Sequence, residues 1–105
     1  MNYGLCGKIV AKPGKGDVLV DHLLEAAGAL EDVAGCHLYV VSRDAHNADS
    51  IWVVEVWDDA EAHQASLDLE AIQQLIARAR PVIAEMGDRF ELQPLGGKGL
   101  RPPPS

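Results

Sequence analysis

The chain has 105 residues, room for one domain with one core. Hydrophobic residues make up 48% and charged residues 24%, the balance of an ordinary soluble globular protein, and no apolar run approaches the length of a membrane span. The net charge of −7, with nine Lys and Arg scattered along the chain, argues against a nucleic-acid partner and against an anionic membrane surface, because both need clustered cations.

The start of the chain lacks the charged and apolar regions of an export signal, so a cytoplasmic location is the expectation. On the same ground Cys6 and Cys36 read as reduced, buried thiols. Residues 1–95 read as the folded domain and residues 96–105, rich in Gly and Pro, as a tail.

Tyr3 to Lys12 reads as a first strand, with Tyr3, Leu5, Ile9 and Ala11 on one side and Cys6, Lys8, Val10 and Lys12 on the other. Pro13-Gly14-Lys15-Gly16 is a turn. Asp17 to Leu30 is a helix with Leu19, Leu23, Ala26, Ala27 and Leu30 at helical spacing. Cys36 to Arg43 is a second strand, apolar on both faces. Asp44 to Ser50 is a polar connection into a third strand, Ile51 to Trp57.

The third strand has no water face. Ile51, Val53, Glu55 and Trp57 alternate with Trp52, Val54 and Val56, and both sets are large and mostly apolar. Helices of the same chain can cover one side; the other needs a second subunit or a ligand.

Asp58, with Glu61 three residues on, suggests a capping box for a short helix to about Ser66. A longer helix follows, Leu69 to Met86, with Ile72, Leu75, Ile76, Ala79, Ile83 and Met86 on its buried side; Pro81 inside it predicts a kink or break near Arg78 to Arg80. Gly87 fits its closing position, and Asp88 to Leu95 is a fourth strand. The order β-α-β-β-α-β is the split, ferredoxin-like α+β pattern with a four-stranded antiparallel sheet and its helices on one face. A twofold homodimer that stacks the two open faces into a barrel would cover the exposed side.

Cofactor motifs are absent from the sequence. Gly14-Lys15-Gly16 lies where a dinucleotide loop would, but lacks the third glycine and the ribose-binding acid. His22, His37, His46 and His63 are too irregularly spaced for a metal site, so neither a cofactor nor a metal is expected.

Glu55 is a carboxyl in an apolar row, and must be paired, hydrogen-bonded or protonated if buried. His63 could serve beside it as acid or base. Trp57 could form a flat wall for an aromatic ring. His37 and Tyr39 share a face of the second strand and could line the same pocket. Arg78, with Arg80, flanks Pro81, where a guanidinium could hold an anion. Each also has an ordinary structural reading, as packing, a seam carboxylate or a solvated helix charge.

Gly35-Cys36-His37-Leu38-Tyr39 followed by Val54-Glu55-Val56-Trp57-Asp58-Asp59-Ala60-Glu61-Ala62-His63 resembles the antibiotic biosynthesis monooxygenase domain. Pro81-Val82-Ile83 and Phe90-Glu91-Leu92 fit as well, so the resemblance covers about residues 3–95. It implies a dimeric α+β barrel. It also implies oxidation of a phenolic, quinol or anthrone-type aromatic substrate by O2, without flavin, haem or metal. On that reading Glu55 or His63 forms the phenolate, Trp57 stacks on the ring and Arg78 stabilises the oxyanion.

The resemblance is interrupted at Ser66 and Ala71, positions that look like those where many members carry His. Related barrels degrade haem, which leaves a dimeric module binding haem or an aromatic metabolite as the alternative.

Overall fold

The structure, a computed structural model, describes residues 2–100. In chain order the elements are β1 (Tyr3–Ala11), α1 (Gly16–Ala29), β2 (Cys36–Asp44), β3 (Asn47–Trp57), α2 (Ala60–Ser66), α3 (Glu70–Ala79), a 3-10 turn (Arg80–Val82) and β4 (Ile83–Leu92). The strands form one antiparallel sheet in the order β2-β3-β1-β4. This is the α+β, ferredoxin-like arrangement, with α2 as a short preface to the second long helix.

Register sorts the side chains into two faces. Leu5 lies opposite Glu55, Gly7 opposite Val53 and Ile9 opposite Ile51, while Tyr39 of β2 lies opposite Glu55 from the other side. These residues face the helices, because successive side chains in a strand point to opposite sides. Ala26 of α1, Leu30 at its C-cap, and Ile72 and Leu75 of α3 close on Trp57 at one end of the sheet. Leu19 and Ala79 close on Ala11 and Ile51 at the other.

The opposite rows hold Cys6, Trp52 and Val54 with Val40, Phe90 and Leu92. Val40, Phe90 and Leu92 are 44%, 50% and 54% exposed, a large apolar area open on the outer side of the sheet.

The turn between β1 and α1 is fastened to the start of β3. Asp49 accepts the Gly14 N–H at 3.1 Å and the Gly16 N–H at 3.0 Å. Gly14 has φ 78°, a left-handed conformation that favours glycine. A Cβ on Gly16 would lie 2.1 Å from the Ala48 carbonyl oxygen, so no other residue fits there.

Several boundaries differ from the sequence reading. The second long helix ends at Ala79 instead of running to Met86. Pro81 offers no N–H to continue the ladder and its ring crowds the preceding turn, so the chain tightens into the 3-10 turn and then extends. Ile83 and Met86 therefore lie on β4, opposite Ala11 and Ile9, and Gly87 is a strand residue packed against Lys8. The polar connection is shorter than expected: β3 begins at Asn47, leaving the two-residue hairpin turn Ala45–His46. The N-cap of α2 is Asp59, whose carboxylate accepts the Ala62 N–H at 2.7 Å; Asp58 instead meets His37. Residues 93–100 form neither helix nor strand, and the rest of the expected tail lies outside the described residues.

Candidate active site

Between the helices and the sheet lies a cavity of about 450 Å³. That is within the range of small-molecule sites, about 300–1,000 Å³. Leu19, Leu23, Ile72 and Leu75 form its helix wall, while Ile9, Tyr39 and Glu55 form its floor on the sheet. A side lobe of about 170 Å³, lined by Gly7, Val53 and Arg89 among others, shares Ile9, Tyr39, Glu55, His63 and Met86 with it.

The polar groups gather where the two spaces meet. The Trp57 indole N–H donates to Glu55 Oε1 at 3.1 Å, and His63 Nε2 lies 3.8 Å from the same oxygen. The His63 ring stands edge-on to Trp57 at 5.5 Å between centroids and 6.0 Å from the Tyr3 ring. His63 reaches this place because the Asp59 cap starts α2 immediately after β3, and Ser66 donates to the His63 carbonyl at 2.6 Å. The glutamate and histidine side chains are 17% and 15% exposed, so both have lost most of their water.

Burial sets the protonation of this cluster. It raises the Glu55 carboxyl above its ordinary value, against the opposing pull of the Trp57 hydrogen bond and the Arg89 charge. It lowers the His63 imidazole, with the positive charge of Arg89 acting in the same direction. Tyr39 is pushed far up, first by burial and then by the Glu55 charge, so it remains a phenol that can donate a hydrogen bond. The result is a neutral imidazole beside a carboxyl oxygen that would stabilise the imidazolium once His63 took a proton.

The structure brings together some of the residues singled out from sequence and separates others. Glu55, His63 and Tyr39 border the cavity. Trp57 does not: it is 0% exposed and supports Glu55 and His63 from behind instead of presenting a flat wall to a ligand. His37 stands apart, because the β2–β3 register slips between Cys36 and Leu38, and it pairs with Asp58 at the surface. Arg78 points outward and pairs with Glu25 at 3.0 Å, both half exposed; Arg80 is the arginine of this stretch that borders the cavity.

Two residues escape the sequence reading. Arg89 sits on the helix-facing row of β4, opposite Gly7, where its charge bears on Glu55 and His63. A strand register through Asp88–Leu95 alone does not reveal this, since it depends on β4 pairing with β1. His22 of α1 also borders the cavity, and its Nδ1 is buried with no hydrogen-bond partner among the described residues.

A model of the family described as antibiotic biosynthesis monooxygenase matches residues 3–78. The chain belongs to the antibiotic biosynthesis monooxygenase family. A crystal structure from Chloroflexus aurantiacus J-10-fl, provisionally named an antibiotic biosynthesis monooxygenase, is 44% identical; the match covers 96% of this chain and 100% of that one, with a TM-score of 0.88. PA3566 from Pseudomonas aeruginosa, at 21% identity over 90% and 95% of the two chains and a TM-score of 0.81, shares the fold. So does a structure from Caulobacter crescentus CB15, again provisionally named for the family, at 17% identity over 87% and 85% with a TM-score of 0.75. No protein of curated function matches the chain. Among the described residues, no helix is long and apolar enough to cross a membrane, and no group of three or more His, Cys, Asp or Glu side chains could hold a metal ion.

Proposed function

We propose that this member of the family is a monooxygenase that oxidises a phenolic, quinol or anthrone-type aromatic compound with O2. The observation that carries the reading is the pairing of a neutral imidazole with a buried carboxyl at the floor of an apolar cavity large enough for a polycycle. His63 is the base. It takes the acidic proton of the substrate, and Glu55 Oε1, now 3.8 Å from Nε2, closes on the imidazolium. Arg89 and the Tyr39 hydroxyl are placed to stabilise the negative charge that develops on the ring oxygen.

For an anthrone the steps balance as follows. Deprotonation leaves an oxygen-stabilised carbanion. This gives one electron to O2, and the radical and superoxide combine at the ring carbon to form a C–O bond. The peroxide takes up a proton; loss of the remaining C–H proton breaks the O–O bond and expels hydroxide, which leaves as water. The CH2 carbon becomes a carbonyl. Four electrons leave the substrate and O2 accepts all four, so no other reductant enters.

The apolar outer face of the sheet supports a homodimer in which two sheets stack. Val40, Phe90 and Leu92, each about half exposed, lie in one apolar row that a second copy of the sheet would cover.

Oxygen uptake on anthrone and on naphthohydroquinone tests the reading. The wild-type chain consumes O2, and His63→Ala lowers kcat by about 10²–10⁴-fold. If His63→Ala and Glu55→Gln both left uptake unchanged, the roles of base and carboxyl partner would be wrong. One observation favours a second reading, in which the cavity binds an aromatic metabolite or haem without turnover. Ser66 borders the cavity one helical turn on from His63, so α2 supplies a single imidazole to it. Tight haem binding seen in the Soret band, lost in His63→Ala, together with no oxygen uptake, would favour it.

A further inference from the structure

β1 carries a glycine where its neighbours in the helix-facing row are Leu5 and Ile9. Gly7 stands between Val53 of β3 and Arg89 of β4, in the middle of the sheet. Its φ is not positive, so the backbone does not require glycine. The register irregularity beside it adds its extra residue to β4, since Gly7 pairs with Arg89 and Ile9 with Met86. A Cβ built on Gly7 would meet no atom within 4 Å, so crowding does not require glycine either. Glycine inside a strand costs about 0.5–1 kcal/mol relative to alanine, and often marks a place where a ligand comes close to the backbone.

The missing side chain leaves the side lobe of about 170 Å³. Its walls are apolar at Leu5, Ile9, Val53 and Met86, with Lys8 and Arg89 at its charged side, and it shares Tyr39, Glu55 and His63 with the main cavity. An engineered apolar cavity of about 150 Å³ admits benzene. The lobe is therefore the size of one six-membered ring.

Resting on the reading above, we propose that Gly7 is a specificity-determining residue. The substrate is a branched aromatic compound: its oxidisable ring system occupies the larger cavity, and one further ring, or a substituent of that size, sits over Gly7. A side chain at this position would fill the space reserved for that ring.

The test compares naphthohydroquinone with its phenyl-substituted derivative in the wild-type chain and in Gly7→Ala, Gly7→Val and Gly7→Leu. The ratio of kcat/KM for the phenyl-bearing substrate to that for the parent falls stepwise, by at least tenfold in Gly7→Leu. A ratio that does not move overturns the proposal. Binding of naphthol and phenylnaphthol, measured calorimetrically, separates this from the oxidation itself. If neither quinol is oxidised but the ratio of Kd values still shifts along the series, the lobe stands and the monooxygenase reading falls. If both quinols are oxidised and neither ratio moves, the lobe falls alone. Gly7→Ala places a methyl in open space, so its thermal midpoint equals or exceeds that of the wild type; a midpoint lower by several degrees overturns the proposal.

Discussion

Glu55 and Trp57 lie two positions apart on β3, and the carboxyl of the first accepts the indole N–H of the second at 3.1 Å. Strand alternation puts both on the helix-facing side, and the contact fixes which oxygen of Glu55 lies near His63. Trp57→Phe keeps an aromatic ring but removes the donor. The expected loss is about 1.5–3 kcal/mol while Glu55 is ionised, the ordinary worth of a hydrogen bond to a charged group. The loss is smaller in acid, where the carboxyl is protonated. Urea denaturation of both chains in acidic and alkaline buffer checks the difference.

The two titrating groups push stability in opposite directions. His63 is held below its ordinary value of 6.5, so between its folded value and 6.5 the unfolded chain binds more protons and stability rises with pH. Glu55 is held above its ordinary value of 4.5; its contribution is full below 4.5 and is lost as pH rises through the folded value. His63→Gln should remove the rising limb and Glu55→Gln the falling one. Denaturation midpoints across the pH range of these two groups measure both.

Arg89 and Arg78 should separate cleanly. Arg89 faces the Glu55–His63 cluster, and Arg89→Met should lower kcat by about 10²-fold, the scale for removing one donor from a developing oxyanion. Arg78 holds an exposed pair with Glu25, so Arg78→Ala should change stability by no more than about 1 kcal/mol and leave oxygen uptake near that of the wild type. Steady-state rates and melting curves on the two variants test this.

The outer face of the sheet should be an interface. Phe90→Lys or Val54→Lys puts a charge in the middle of the apolar row shared by β1, β3 and β4. Sedimentation is expected to show two chains per particle for the wild type at micromolar concentration and one for the variants. A wild-type particle of one chain would remove the interface.

Much of this architecture could be read from residue order, because it rests on alternation. Ile51 and Trp52 mark a strand covered on both sides, and Glu55 stands out as a carboxyl in an apolar row. The border between α3 and β4 was not legible. Ile83 and Met86 satisfy helical spacing from Ala79 as well as they satisfy a strand, and Pro81 could have bent a helix or ended it. This ambiguity extends to the site, because the position of Arg89 opposite Gly7 follows from the pairing of β4 with β1 and not from residue order. The outward position of His37 is hidden for a different reason, since a slip of register inside β2 follows from pairing and leaves no mark in composition.

The clamp formed by Asp49 explains what became of the glycine turn before α1. Amides converging at the start of a helix are the means by which many folds seize a phosphate. Here Gly14 and Gly16 already point theirs at an anion that the chain supplies from its own β3. The turn is thus a lock holding two distant segments together, its keyhole filled from within. Gly16→Ala, which forces a methyl onto the Ala48 carbonyl, should cost about 2 kcal/mol or more, visible as an earlier unfolding midpoint.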